Sequence, residues 1–463
     1  MAILTASKKA CAENPLKSST PLGAALAFLG IEGSVPLFHG SQGCTSFALV
    51  LAVRHFKEAI PLQTTAMNEA STVLGGSDHF EEALVNITTR MKPKFIGVAS
   101  TALVETRGED FAGDLRNIVA KRRELDPVRV VFAATPDFEG ALEDGWAKAT
   151  SAIIEALVPA QELPRAEPDR AERIINILPG VHETPASIEA LLQLAAAFGL
   201  RGRVVPDISG SLDGHLPDAY VGTSLGGAPL AEVEQLGTAL HTLALGEHMR
   251  APAELLRQRT GVAATVLPTW IGLHASDQLV HWLSVISGQP APAWVRRQRS
   301  QLVDAMLDGH FHFSGKRIAL ASDPDLLHGL AHFFSALGAQ VVIAISSTQN
   351  SPLLTDLPCE EVLVGDLGDL EERAAAAGVD LLVTHSHGRQ ASEKLGIPLF
   401  RVGFPIFDRL GHQHRCLGGY AGTRELIYEI ANLFLARLHE HSPEDFGSAV
   451  PPLNVMDSRH ADP

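Results

Sequence analysis

One cysteine of this chain stands where a thiolate could do chemistry. Cys44 ends the segment Val35-Pro36-Leu37-Phe38-His39-Gly40-Ser41-Gln42-Gly43-Cys44, in which a short apolar run leads through glycines into a predicted helix. The N-terminus of a helix favours the anionic form of a thiol, and Gly43 leaves room for a group that must approach closely. A cysteine without neighbouring cysteines is also a common small apolar core residue. The sequence therefore leaves two interpretations open, a metal ligand and a buried thiol.

The other candidate ligands are weaker. Cys11 falls in a terminal stretch expected to be flexible, Cys359 follows a Leu-Pro loop, and none of the four cysteines forms a C-x-x-C pair. Some of the twenty histidines cluster, as in the pairs His385/His387, His412/His414 and His439/His441. Only Cys416 stands at ligand spacing from one of these pairs, so we expect them to be surface or loop histidines. If Cys44 binds a metal, most of the remaining ligands must come from another chain.

Two polar turns follow apolar runs and could bind a ligand. They are Thr135-Pro136-Asp137-Phe138-Glu139-Gly140 and Asp207-Ile208-Ser209-Gly210-Ser211-Leu212-Asp213-Gly214-His215. Proteins of the α/β class bind ligands at the carboxyl ends of strands, but Asp, Ser and Gly are also ordinary turn formers. Glycine loops that hold phosphates are absent, as are the G-x-S-x-G and H-E-x-x-H signatures. The sequence thus indicates neither a nucleotide site nor a common hydrolase.

Composition excludes several classes of partner. Lysine and arginine number 37 against 53 aspartates and glutamates, which gives a formal charge of −16. Such an acidic chain is unsuited to nucleic acid or an anionic membrane as its main partner. No apolar run approaches the roughly 18 residues that suggest a membrane span, and the first residues lack the apolar core of a signal peptide. The sequence predicts a cytoplasmic protein, and four cysteines fit a reducing compartment.

The elements that position these residues follow one repeated pattern. The clearest copy runs from Arg317–Ala321 through Asp323-Pro324, a helix to about Leu337 and Gly338, to Val341–Ile345. Asp323 suits the N-cap, Pro324 the first helical turn and Gly338 the left-handed position after the helix. Further copies begin at the apolar runs 95–99, 174–178 and 380–383. Apolar runs without polar alternation, separated by helices, indicate parallel strands covered on both faces, hence an α/β fold.

Two breaks divide the pattern into domains. The polar stretch Pro159–Arg173 is expected to be a linker, and a second break is expected at Gly309–Lys316. We therefore predict three Rossmann-like domains with mostly parallel sheets flanked by helices, at residues 1–165, 170–312 and 313–410. Residues 411–463 would form a C-terminal segment, with a helix from about Thr423 to Glu440 and a loose tail from Ser442.

Several of these segments together resemble a known family. They are Asn14–Lys17, Pro21–Ala27, Phe38–Cys44, Arg54–Phe56, Thr135–Phe138 and Pro206–Asp213. The chain resembles β-type subunits of nitrogenase component 1 over most of its length, and His-Gly-Ser-Gln-Gly-Cys is the specific element. Within the family it is most similar to the β-like subunit of the scaffold on which the iron–molybdenum cofactor matures. The resemblance implies the nitrogenase component 1 fold.

Two departures from the catalytic β-subunits refine what the resemblance implies. Those subunits supply three cysteines to an eight-iron cluster, and Cys44 matches one of them. The other two positions are Ser19 and Ala102 here, which cannot replace bridging thiolates. The resemblance therefore implies a [4Fe-4S] cluster with Cys44 as one ligand and three thiolates from an α-like partner. It implies no catalytic side chain on this chain.

The family also implies how the assembly is organised. Two α-like and two β-like chains would form a heterotetramer, and the α-like chain would hold most of the iron–molybdenum cofactor precursor. The nitrogenase iron protein would dock over the αβ interface and deliver electrons, molybdenum and homocitrate, while other proteins donate and carry the precursor. Two alternatives remain. One is a β-type subunit of a reductase, either nitrogenase or a protochlorophyllide or chlorophyllide reductase; the other is a metal-free structural module in which Cys44 is buried.

Overall fold

The computed structural model describes residues 1–68, 76–106, 108, 110–160 and 173–440, with side chains to residue 437. Its strands are β1 Ile3–Ala6, β2 Ser34–His39, β3 Gln63–Thr64, β4 Phe95–Ser100, β5 Arg129–Ala133, β6 Ile174–Leu178, β7 Arg201–Val204, β8 His241–Leu245, β9 Ala264–Leu267, β10 Arg317–Ser322, β11 Gln340–Ser346, β12 Glu361–Val364, β13 Leu381–Thr384 and β14 Leu399–Arg401. Its helices are α1 Thr20–Leu29, α2 Gln42–Phe56, α3 Ser77–Met91, α4 Ala102–Glu105, α5 Phe111–Lys121, α6 Leu142–Leu157, α7 Pro185–Ala197, α8 Leu230–Glu234, α9 Arg250–Thr260, α10 Leu273–Ser287, α11 Ala293–Phe313, α12 Pro324–Ala336, α13 Leu367–Ala377, α14 Arg389–Leu395 and α15 Gly419–Glu440. Across these described helices, none is both long and apolar enough to cross a bilayer.

The strands form three sheets, and every strand pair is parallel. The first sheet has the order β3-β2-β4-β5, the second β7-β6-β8-β9 and the third β1-β12-β11-β10-β13-β14. The central strands β2, β4 and β6 are buried along their whole length. This explains why their sequences are continuous apolar runs, since helices cover both faces of such sheets. The predicted α/β class with parallel sheets flanked by helices is confirmed.

The N-terminal strand was not expected. Ile3–Ala6 pairs in parallel with Glu361–Val364 of the third sheet, and the Ala2 backbone N–H donates to the Thr355 carbonyl over 2.9 Å. The prediction of a flexible terminus is therefore wrong for the residues of β1. Four residues with one strand neighbour give too weak a pattern to be recognised as a strand from sequence.

Helix boundaries follow the predicted signals closely. Gly199 and Gly338 have φ of +69° and +82°, the left-handed conformation expected after a helix. The Thr184 side chain caps α7 by accepting from the Ser187 backbone N–H, whereas Asp323 makes no such bond to α12. The break expected at Gly309 begins later, because α11 continues to Phe313. Most of the predicted linker, the whole C-terminal tail and His441 lie outside the described residues, and the side chain of His439 is not described.

Close helix packing fixes α1 against α6. A Cβ on Gly23 would lie 2.0 Å from the Leu142 carbonyl oxygen, and a Cβ on Gly145 would lie 1.9 Å from that of Thr20. These two glycines therefore allow the helix backbones to touch. All ten residues of α1 are buried in a core that continues from the first sheet into the second. The helix start, with Ser19 as its N-cap, is held in a fixed place.

Candidate functional site

Three helix N-termini meet one edge of the first sheet. Strands β2 and β4 are parallel neighbours, and α2 and α4 begin within three residues of their carboxyl ends. Cys44 lies in the first turn of α2 and Ala102 begins α4. Ser19 stands at the N-cap position of α1, and the first residue of this helix, Thr20, donates its hydroxyl to the Glu139 carbonyl over 3.0 Å, in the loop after β5. The positions of Ser19, Cys44 and Ala102 therefore share the carboxyl edge of this sheet.

Hydrogen bonds lock the strand ends at this edge. The backbone N–H and the hydroxyl of Thr101 donate to the His39 carbonyl over 3.1 and 3.2 Å. The Thr135 backbone N–H donates to the Ser100 hydroxyl, and the Thr135 hydroxyl donates to the Ser100 carbonyl, both over 2.8 Å. A Cβ on Gly40 would lie 2.0 Å from Oγ1 of Thr101. Only glycine allows the β2–α2 turn to pass this close to the end of β4.

The histidine of the His-Gly-Ser-Gln-Gly-Cys element belongs to the core. His39 is buried, and its Nδ1 lies 3.1 Å from Oγ1 of Thr65. Its ring packs between Phe80 and Phe111, with centroid separations of 4.7 and 4.5 Å. His39 therefore anchors the turn that presents Cys44 and does not act as a ligand at the edge.

Cys44 is exposed in this chain. Its Sγ lies 3.6 Å from the Ser41 hydroxyl, and a Cβ on Gly43 would meet nothing closer than 4.0 Å. The buried-thiol interpretation is therefore wrong for the chain by itself. Cys359 and Cys416 differ, because each is partly buried and burial raises the pKa of each thiol to about 11. Cys44 is an accessible thiol with open space on its glycine side.

An uncovered apolar surface extends from Cys44 along α2. Phe47, Val50 and Val53 recur at helical spacing, and they are 78%, 52% and 36% exposed. We call these three residues the α2 face. Phe138, in the loop after β5, is 60% exposed. A stripe of large apolar side chains in water is typical of a surface that another protein covers.

The pairs His385/His387 and His412/His414 do not gather with other ligand groups. His385 is buried, its Nε2 lies 3.3 Å from the Leu16 carbonyl, and its Nδ1 accepts from the His387 backbone N–H. Burial, and after it His387, lowers the pKa of His385 to about 4. Burial, and after it Arg415, lowers the pKa of His412 to about 3. Neither pair is among the sets of three or more closely spaced ligand groups in the described chain.

Hydrogen bonds within the turns and to other elements hold the two polar turns in place. Asp207 accepts from the backbone N–H and the hydroxyl of Ser209 over 2.9 and 2.6 Å, which is an Asx turn. Further along, the Gly214 backbone N–H donates to Glu58, just after α2, over 2.5 Å. In the other turn, Lys17 donates to the Asp137 carbonyl over 3.2 Å. These contacts support turn roles, and the turn from Thr135 to Gly140 also forms part of the edge that carries Ser19.

Sequence reasoning missed a buried charged cluster where the three sheets meet. Nε2 of His182, after β6, lies 3.1 Å from Oε1 of Glu143 on α6 and 3.4 Å from Oδ2 of Asp323 before α12. Nδ1 of His248, after β8, lies 2.5 Å from Oδ2 of Asp325. The Asp325 backbone N–H donates to Glu143 over 3.0 Å. Contacts between residues up to 182 positions apart therefore tie the three sheet units together.

The ionisable groups of this cluster have pKa values shifted in different directions. Burial opposes charge on His182, but hydrogen bonds to Asp323 and Glu143 outweigh it and raise the His182 pKa to about 10. Burial, reinforced by Asp325, raises the pKa of Glu143 to about 7. Burial also opposes charge on Asp323, but the hydrogen bond from His182 outweighs burial and lowers the pKa of Asp323. An imidazolium between two carboxylates, one of them a weak acid, is an ion cluster that holds the units together.

Comparison with known proteins identifies the family. Residues 19–435 match the family model described as nitrogenase component 1 type oxidoreductase. The chain belongs to the nitrogenase component 1 family. A solved structure of this nitrogenase fold, "Nitrogenase Cp1 at pH 6.5", is 30% identical with a TM-score of 0.87, over 95% of this chain and 96% of that one. The resemblance inferred from the His-Gly-Ser-Gln-Gly-Cys element is confirmed.

Relatives within the nitrogenase component 1 family carry one shared name. The proteins called "nitrogenase iron-molybdenum cofactor biosynthesis protein NifN" from Mesorhizobium japonicum and Rhodobacter capsulatus are 57% and 51% identical to this chain. These alignments cover 94% and 97% of both partners. The protein of that name from Klebsiella pneumoniae is 38% identical over 95% of this chain and 94% of its own length. The predicted likeness to the cofactor-scaffold branch of the family is confirmed.

Proposed function

We propose that this chain is the β-like subunit of the scaffold complex on which the nitrogenase iron–molybdenum cofactor precursor matures before transfer to apo-nitrogenase. The observation that carries this proposal is full-length similarity, up to 57% identity, to proteins named for the biosynthesis of that cofactor. The retained Cys44, beside Ser19 and Ala102, supports it, because the edge lacks the thiols that an eight-iron cluster would need. The proposed complex works in the cytoplasm.

The residues at the carboxyl edge of the first sheet fit one ligand position of a smaller cluster. A four-iron cluster takes four ligands, and Cys44 offers a single accessible thiol with open space beside it. The other three thiolates are therefore assigned to an α-like partner. When bound, such a cluster supplies one-electron transfer. The chain's own residues hold Cys44 in place through the Gly40–Thr101 contact and limit the access of water once the α2 face is covered.

The α2 face is the proposed contact for that partner. Its apolar side chains adjoin the one thiol that needs further ligands, so a single partner surface would bury both. We infer two αβ pairs in a heterotetramer, with the precursor held mainly by the α-like chain. The iron protein would dock over the same interface, and the proteins that donate and carry the precursor would act on the assembled complex.

The test is anaerobic co-purification with the α-like subunit, followed by metal analysis and two assays. We expect a brown complex that activates apo-nitrogenase when supplied with precursor, molybdenum, homocitrate and the iron protein. Substrate reduction by the same complex distinguishes the reductase alternative. Sustained reduction of substrate without cofactor transfer would contradict the scaffold function, and a colourless complex produced with ample iron would contradict the shared cluster.

A further inference from the structure

Helix α12 carries a second set of ligand-type side chains, far along the chain from Cys44. His328 and His332 are four residues apart on one side of this helix, and their ring centroids are 4.4 Å apart. Asp356 ends a short 3-10 helix that packs against α12. One ligand atom from each of these three residues can be chosen so that all lie within 4.8 Å of one another.

The distances suit a shared metal better than hydrogen bonds. Nε2 of His328 lies 3.5 Å and Nε2 of His332 lies 3.7 Å from the same Oδ2 of Asp356. These separations are at or beyond the limit for a useful hydrogen bond. A tetrahedral zinc ion with bonds of about 2.0–2.1 Å spaces its ligand atoms about 3.3 Å apart. Small side-chain movements would bring all three atoms into that geometry.

Two polar atoms without hydrogen-bond partners also favour a bound metal. Nε2 of His332 and Nδ1 of His328 are buried and have no hydrogen-bond partner among the described residues. A buried nitrogen without a partner costs free energy, so native structures seldom leave two side by side. A cation accepting the lone pair of His332 Nε2 would remove one of these costs, while Asp356 would balance its charge.

The three residues lie close to the loop after β9 and beside a cavity. A Cβ on Gly329 would lie 2.7 Å from Oγ1 of Thr269, so glycine lets α12 approach the loop after β9. The triad lines a cavity of about 410 Å³ between α10, α12 and α15, with a largely apolar wall that includes Met306 and Phe333. Three protein ligands beside a cavity match metal sites that keep one position for water or an exchangeable ligand.

We propose that His328, His332 and Asp356 bind one divalent transition-metal ion of the zinc type. Two imidazoles and a carboxylate are ligands that such ions accept, whereas magnesium and calcium prefer all-oxygen sites. The helix lacks the glutamate of an H-E-x-x-H motif, because Gly329 follows His328, so no peptidase chemistry is assigned. The fourth position is open to water or to a small metal-binding ligand from the cavity.

Zinc titration of the full-length protein tests this proposal, after removal of metal and in competition with a chromophoric chelator. We expect one tight site per chain. His332→Ala should weaken it by more than the roughly 10–100-fold typical of changes around a ligand. Asp356→Asn, at a largely exposed carboxylate, should weaken it as well. His281→Ala, which changes an exposed histidine of α10, should leave affinity unchanged.

Zinc X-ray absorption separates this site from adventitious binding by the exposed thiols Cys11 and Cys44. Nitrogen and oxygen neighbours at about 2.0–2.1 Å support the triad, whereas sulfur at about 2.3 Å overturns it. Equal zinc affinity in the wild-type and His332→Ala proteins would also overturn it, as would the absence of a saturable single site. Because His328 is buried, its replacement could disturb folding, so the test relies on the two more accessible ligands.

Discussion

Replacing His182 by leucine should destabilise the protein by about 3–5 kcal/mol near pH 7. The change removes the imidazolium that lies between Glu143 and Asp323 and leaves two buried carboxylates without their counter-charge. Raising the His182 pKa from 6.5 to about 10 sets an upper bound of about 5 kcal/mol on the stabilisation, at 1.36 kcal/mol per pH unit. Breaking a buried ion pair by removing one partner costs a similar amount.

The stabilisation by His182 changes with pH in a defined direction. A histidine whose pKa is raised on folding contributes its full stabilisation below pH 6.5 and loses it as pH rises towards 10. The wild-type advantage over His182→Leu should therefore shrink between pH 7 and 10. Glu143, with its pKa raised to about 7, acts in a lower window, because its ionisation disfavours the folded state between about pH 4.5 and 7.

Urea unfolding followed by tryptophan fluorescence measures the effect. Trp270 donates to Glu183 over 2.9 Å and Trp146 donates to the Pro179 carbonyl over 2.9 Å, so both indoles report on this junction. Adding Glu143→Gln to His182→Leu should recover at least about 1 kcal/mol, because a neutral amide replaces a buried carboxyl group that has lost its counter-charge. His281→Leu, on the surface of α10, is the matched control. A loss below about 1 kcal/mol, or a loss that does not change between pH 7 and 10, would refute the reasoning.

Two further predictions concern the edge that presents Cys44. Gly40→Ala should lower stability by about 1–3 kcal/mol, because its Cβ would collide with Thr101. Gly43→Ala should not lower stability, because its Cβ would enter open space. Equal melting temperatures for the two variants would contradict the packing argument. Phe47→Asp should leave the chain folded but weaken its binding to the α-like subunit by about 2 kcal/mol, or roughly 30-fold in Kd. Val285→Asp, at another exposed apolar position, is the control, and equal pull-down of both variants would show that the α2 face is not the contact.

Local signals accounted for much of the fold. The run from β10 through α12 to β11 was predictable because apolar residues, Pro324 and Gly338 mark strand, helix start and helix end within 30 residues. The short strand β1 was not predictable, since its partner β12 lies more than 350 residues away. Asp323 suited an N-cap by sequence, but its carboxylate faces His182 and the Ser347 hydroxyl instead. Tertiary contacts displaced the local preference.

The candidate site was predictable only in part. Sequence placed Cys44 at a helix start, and the structure adds that the thiol is exposed beside an apolar face. No local signal marks the buried charged cluster where the three sheets meet, because Glu143, His182 and Asp323 come together only when the three sheet units pack. The pair His328 and His332 lacked the i, i+2 spacing of the His-x-His pairs, and its significance depends on Asp356 from another element.

The central claim is that Cys44 supplies one ligand of an iron–sulfur cluster completed by another subunit. Its most direct test compares iron content and the EPR spectrum of anaerobically purified complexes containing wild-type chain, Cys44→Ala or Cys11→Ala. Cys11 is the matched control because it is also an exposed thiol. We expect Cys44→Ala to lose or strongly diminish the interface signal and about four irons per αβ pair, while Cys11→Ala retains both. An unchanged cluster signal and iron content in the Cys44→Ala complex would contradict the account.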